Sequence, residues 1–337
     1  MLDLSLAELI TAEPEQFGAL DVFASFPCPL KVPMEMALQN LLEEMRRNGM
    51  KLKSSLDACN QLKYNDAAGD LENLEDLPEV IVTSGINGFL SHAFRKRFLE
   101  TGAFHRWPEQ QVNPRLATLE LDDPDRHYRV IATNLFILAV DKSRIGSLPL
   151  PRSWADLLAP EYAGSTALCA HGDRFNESVL VGLHELYGDE GLRRFGRTVR
   201  YGMHPAQFVK HLGSGKSETP AIAIIPLFFA KTARNQDELA IVWPEDGALA
   251  SPLFMMVKER SKDRLKELAH FFTGPDVSAI CDGAFFPALH PKASSAIPEN
   301  APIRWLRWPY LKHHDAAELQ SHSMEVFHTA HATSLAT

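Results

Sequence analysis

Five short segments carry the residue types that could do chemistry in this chain, and the chemistry they suit is reversible capture. Residues 25–31 supply Ser25, Cys28 and Lys31, and residues 83–88 supply Thr83, Ser84, Gly85 and Asn87. Residues 171–176 supply His171, Asp173, Arg174 and Asn176; residues 225–231 include Pro226; residues 245–250 begin with Glu245 and Asp246. Small residues let backbone N–H groups come close to a ligand. Four of these segments precede an expected helix, whose first turn offers unpaired donors and a partial charge of roughly +0.5. Lys31 and Arg174 add full positive charges, which favours an anion or a carboxylate-bearing solute, while Asp173, Glu245 and Asp246 keep a cationic solute open. Lys31 reads equally well as a solvated lysine in a proline-rich loop. Cys28 and His171 have the thiolate and imidazole character that a chelated metal would use; a small buried thiol and a loop hydrogen-bond donor are the plainer reading of the pair.

Catalytic spacings are missing. There is no Gly-x-Ser-x-Gly elbow, no Gly-x-Gly-x-x-Gly, no P-loop and no His-Glu-x-x-His, so neither an enzymatic activity nor a resident cofactor is expected. Cys28, Cys59, Cys169 and Cys281 show no C-x-x-C spacing, which leaves buried free thiols as the reading. The tail histidines His313, His314, His322, His328 and His331 lack the i, i+4 spacing that sets two ligands on one helix face. A helix over 316–329 resting on the fold accounts for them more simply than a metal-binding or partner-binding tail.

The elements that must position these segments repeat as strand, small polar turn and helix, the pattern of an open α/β sheet whose ligands bind beyond the carboxyl ends of the strands. Strands are expected over 20–24, 51–58 and 77–82, then over 165–170, 221–225 and 239–243. Helices are expected over 34–48, 89–101, 177–187, 190–198, 205–211 and 263–273. Pro27, Pro29 and Pro33 predict an irregular segment over 25–33. A β-branched and aromatic run over 128–140 is too long for one ordinary strand of about five or six residues. It predicts a hinge passing from one sheet to another, and 251–257 predicts the return.

Between these runs stand Pro151, Ser153, Trp154, Asp156, Leu157, Leu158, Pro160, Tyr162 and Gly164, and near the second run Glu245, Asp246, Gly247, Pro252, Val257, Lys258, Ser261 and Lys262. At this spacing they resemble the solute-binding proteins of ABC importers, of the periplasmic-binding-protein-like, two-lobed type 2 kind, in the iron and polyamine branch. The resemblance implies an α/β fold of two lobes joined by two crossed hinge strands. It also implies closure about those hinges on a small molecule or ion in the inter-lobe cleft, and delivery to the importer's membrane subunits if the protein is exported to the periplasm or cell exterior. Iron-binding members present paired tyrosines late in lobe two; here Phe228 and Phe229 stand in that region, so bare ferric ion is not expected. A cytoplasmic ligand-sensing protein on the same fold and an enzyme on the same scaffold are the alternatives.

At 337 residues the chain exceeds one ordinary core. It is expected to divide into a helical appendage over 1–19, lobe one over 20–134 plus 251–337, and lobe two over 135–250. A net charge of −9 argues against nucleic acid or an anionic membrane as partner, and no apolar run is long enough to insert in a bilayer. The first residues carry acids where a signal peptide needs basic ones. This implies either an export signal outside this sequence or a cytoplasmic protein.

Overall fold

Apolar and β-branched residues at nearly every position from Val130 to Val140 produce one strand, Arg129–Asp141, buried at every position after Arg129. The chain divides within it. One compact unit comprises Met1–Thr133, Pro252–Ala296 and Arg307–Ala317; the other comprises Asn134–Ser251, Ile297–Leu306 and Glu318–Thr337. The structure, a computed structural model, describes residues 18–58, 62–171, 174–214, 219–294 and 297–335. The helix expected within 1–19, Cys59 and Asp173 lie outside the described residues.

In chain order the elements before the division are β1 (Val22–Phe26), α1 (Cys28–Arg47), β2 (Ser54–Ala58), α2 (Leu62–Ala67), β3 (Val80–Ser84), α3 (His92–Phe94) and β4 (Arg129–Asp141). There follow β5 (Thr166–His171), β6 (Arg174–Phe175), α4 (Glu177–Thr198), β7 (Val199–Met203), α5 (Pro205–Lys210), β8 (Ile222–Pro226), α6 (Leu227–Lys231) and β9 (Leu239–Val242). The last are β10 (Ala248–Val257), α7 (Lys266–Thr273), α8 (Pro275–Gly283), β11 (Ile303–Arg304), α9 (Trp308–His313) and α10 (Ala316–Leu335).

In the first unit β1 lies between β2 and β3, parallel to both, and the far half of β10 runs antiparallel to β3 with Leu253 opposite Ser84. All five residues of β1 are buried, as a central parallel strand requires. Helix α1 corrects the expected irregular segment over 25–33, because it runs through Pro29 and Pro33. Pro29 sits in the first turn, where its missing N–H had no helical partner. Pro33 forfeits a hydrogen bond at a cost of about 3 kcal/mol. Burial of Leu30, Met34 and Leu38, each fully covered, outweighs it at about 1.5–3 kcal/mol apiece.

Where β10 leaves the sheet, Lys258 is fully buried, and its Nζ donates to the Leu77 carbonyl at 2.6 Å and to Glu79 Oε1 at 3.2 Å. Arg260 and the Ser261 hydroxyl also donate to Glu79, at 3.1 and 2.6 Å. A buried ammonium survives only when paired in this way.

In the second unit β5 is parallel to β7 and β8, while β8 and β9 both run antiparallel to β4. The carboxyl ends of β5, β7, β8 and β9 therefore share one edge. The core gathers Phe136, Trp154, Leu168, Phe195, Ile224 and Phe327. Phe327 belongs to α10, and its ring meets Phe175 edge-on at 4.8 Å. This corrects the assignment of 251–337 to lobe one: residues 297–306 and 318–337 pack in the second unit. Only the piece between them stays with the first, where Trp308 stacks on Tyr128 at 5.2 Å and donates to the Leu121 carbonyl at 2.9 Å.

Candidate functional site

The carboxyl ends of β1, β2 and β3 form one edge of the first unit's sheet. Ser25 is buried near the end of β1; Cys28 is the exposed first residue of α1, which no side chain caps. An exposed Cys28 departs from the expected buried thiol; Cys281 fits that reading, and burial pushes its thiol well up. Lys31 lies one turn into α1, its Nζ 4.0 Å from Glu35. At the end of β3, Asn87 Nδ2 donates to Thr83 Oγ1 and to the Ser84 carbonyl, both at 3.2 Å, and Asn87 Oδ1 accepts the Phe89 amide at 3.1 Å. Thr83 and Asn87 thus brace the turn, with Ser84 and Gly85 partly exposed beside them. Gly85 has φ 86°, which favours glycine, and its N–H donates to the Pro252 carbonyl at 3.0 Å.

At the edge of the second unit, His171 ends β5 and pairs with Arg174 across a hairpin. The Arg174 guanidinium donates to Glu177 at 2.8 Å, and Asn176 caps α4 by accepting the Val179 amide at 3.1 Å. Pro226 ends β8 and precedes α6 with no side-chain cap. Behind it Phe228 and Phe229 meet edge-on at 5.3 Å, and Phe229 meets the His204 ring at 5.7 Å. His204 follows β7 and accepts the Ala206 amide at 3.2 Å. Ser178 and Ser251 share a hydrogen bond at 3.1 Å. Sequence reasoning missed His204 because β7 carries one fully buried residue and no apolar run, although His204 before Pro205 is a visible helix start.

Two expected residues fall elsewhere. Asp246 accepts the Trp154 amide at 3.0 Å, the Ala155 amide at 3.2 Å and the Tyr187 hydroxyl. Burial and this carboxylate together push the Tyr187 hydroxyl well up. Tyr187 closes the first half of α4, at the opposite end from Asn176, so Asp246 lies away from the strand ends. Glu245 pairs with Arg152, both exposed. Asp246 is thus engaged in capping the turn at Trp154, and Glu245 in a surface ion pair. Cys28 lies in the first unit and His171 in the second. The first unit also holds a recess lined by Arg129, Thr273, Ser278 and His290, where the buried Arg129 Nε and Ser278 Oγ have no partner among the described residues. Such groups are commonly served by ordered water.

No helix among the described residues is long and apolar enough to cross a membrane. The family described as bacterial extracellular solute-binding protein matches residues 75–314, more than half of the chain. No curated protein is a significant match. Among solved structures, the apo ferric ion-binding protein A of Pasteurella haemolytica superposes with a TM-score of 0.62 at 14% identity, over 92% of this chain and 96% of that one. The periplasmic binding protein AfuA of Actinobacillus pleuropneumoniae, with exogenous fructose-6-phosphate bound, gives 0.61 at 12% identity over 92% and 96%. The Trichodesmium protein IdiA (FutA), in complex with iron and citrate, gives 0.58 at 11% identity over 92% and 98%. At these identities the likeness shows the two-lobed periplasmic-binding-protein fold and nothing finer.

Proposed function

This chain belongs to the bacterial extracellular solute-binding protein family, and from that premise we propose that it captures a small anionic solute outside the cytoplasm and delivers it to the membrane subunits of an ABC importer. The observation that carries the anion is the first turn of α1: no side chain caps it, Lys31 stands within it, and Ser25 and Ser84 lie at the same sheet edge. A lysine beside small hydroxyl side chains favours phosphate or carboxylate groups over ammonium groups. Arg174 and the amides that follow Pro226 supply comparable groups in the second unit. Two structural neighbours carry anionic ligands, a sugar phosphate in one and citrate with iron in the other.

Phe228 and Phe229 offer no oxygen to a bare ferric ion, so a metal would enter as an anionic chelate. Capture is coupled to movement of the units about β4 and β10, with the solute favouring the closed state by its differential affinity. The solute leaves unchanged, since among the described residues neither strand-end edge pairs a nucleophile with a base.

Native mass spectrometry of the purified protein, then a thermal-shift panel of sugar phosphates, citrate, ferric citrate and polyamines, tests this reading. A solute at a hundred times its Kd stabilises by about 2.7 kcal/mol. Shifts from the anions support the proposal, and shifts confined to polyamines contradict it.

A further inference from the structure

Helix α4 is broken at Gly188, whose φ of 62° and ψ of −169° are closed to most side chains. The break lets Asp189 turn back toward His184, five residues earlier, where an unbroken helix would place them on different faces. His184 Nε2 lies 2.9 Å from Asp189 Oδ1. From α10, His322 Nε2 reaches the same oxygen at 2.8 Å. The three ligand atoms lie within 4.8 Å of one another, and the imidazole rings are 5.3 Å apart at 73°. Arg193 holds the other carboxylate oxygen at 3.1 Å, which fixes the direction of Oδ1. All of these residues belong to the second unit.

We propose that His184, Asp189 and His322 form a zinc site that fastens α10 to α4, separate from the solute-binding groups. Two imidazole nitrogens and one carboxylate oxygen are a donor set that zinc accepts, with water in the fourth position. Without metal, both imidazoles must direct an N–H at one oxygen. A cation replaces those two hydrogens, which move to Nδ1 of each ring. Tetrahedral bonds of about 2.0–2.1 Å place ligand atoms about 3.3 Å apart. The His–Asp separations therefore widen by a few tenths of an ångström while the imidazoles draw together. The side chain of His322 is 50% exposed and is able to make that adjustment. His184 Nδ1 is buried with no acceptor among the described residues, and a ligand histidine without an outer partner costs roughly 10–100-fold in affinity. Binding is accordingly expected to be weaker than at a structural zinc site with complete outer partners.

The test uses the full chain, stripped with a chelator and titrated with zinc chloride by calorimetry and native mass spectrometry. One equivalent is expected to bind and to raise the melting temperature. His322→Ala and His184→Ala are each expected to weaken that equivalent at least about tenfold, the effect of removing one of three ligands, whereas His313→Ala leaves it unchanged. Because His322 is half exposed, His322→Gln gives a folded check, confirmed by circular dichroism. Zinc binding of the same strength in the His322 and His184 variants, or no zinc bound by the wild-type chain, overturns the proposal. Neither result bears on solute capture, since none of these residues lies at a strand-end edge.

Discussion

The indole N–H of Trp154 donates to the Gly247 carbonyl at 2.7 Å from a fully buried position. Asp246, one residue earlier, accepts the Trp154 backbone amide at 3.0 Å. Ser153 and Asp156 complete the turn: Asp156 accepts the Arg152 and Ser153 amides at 2.7 and 3.0 Å, and the Ser153 hydroxyl accepts the Asp156 amide at 3.1 Å. The Pro-Arg-Ser-Trp-Ala-Asp stretch is thereby held to the loop that leads into β10.

Trp154→Phe removes the indole donor and part of a filled volume. Urea unfolding followed by circular dichroism is expected to show a loss of about 2–4 kcal/mol, combining a partial cavity with an orphaned buried carbonyl. A loss below about 0.5 kcal/mol would mean that the Gly247 contact does not hold the turn.

Glu79 sets an acid limit on the first unit. Burial pushes its carboxyl up, but hydrogen bonds from Arg260 and Ser261 and the charge of Lys258 outweigh this and hold it down at about 2. A depressed folded pKa contributes stability that is fully present above the unfolded value of 4.5 and is lost as pH falls toward 2. The wild-type chain is expected to lose about 2–3 kcal/mol over that interval from this group. Glu79→Gln is expected to flatten that part of the profile and to cost about 3–5 kcal/mol at pH 7 by leaving Lys258 unpaired. An unchanged acid slope in the variant counts against the account.

Gly88 sits where no side chain fits. A Cβ there would meet the Asp66 and Asn65 carbonyl oxygens at 2.5 and 2.7 Å, both backbone atoms unable to yield cheaply. Gly88→Ala is expected to displace the turn braced by Asn87 and Thr83, and calorimetry should show solute affinity falling at least about tenfold, as a small misplacement of binding groups does. Affinity equal to wild type would remove that turn from the binding site.

Much of the architecture was legible because burial writes itself into composition. The run from Val130 to Val140 admits one reading, and Gly188 marked the break in α4. What failed had physical reasons. Pro29 and Pro33 look like helix breakers, and only the buried Leu30, Met34 and Leu38 show why a helix persists. Asp246 reads as a free loop acid, since sequence cannot distinguish a solvated carboxylate from one that caps a turn ninety residues away in the chain. The place of α10 depends on Phe327 meeting Phe175, a contact between segments that no local pattern connects.

The movement proposed about β4 and β10 has a scattering signature. With saturating solute, the radius of gyration from small-angle X-ray scattering is expected to decrease relative to the unliganded chain. An unchanged profile with solute demonstrably bound would rule out closure while leaving binding intact.

The central claim, capture of an anion by groups that include the first turn of α1, is tested most directly by calorimetric titration of a sugar phosphate and of citrate into the wild-type chain and Lys31→Ala. The account predicts one equivalent bound by the wild type and an affinity at least tenfold lower in the variant, because a hydrogen bond to a charged group contributes about 1.5–3 kcal/mol. Tight polyamine binding with the anions inert, and Lys31→Ala indistinguishable from wild type, would contradict it.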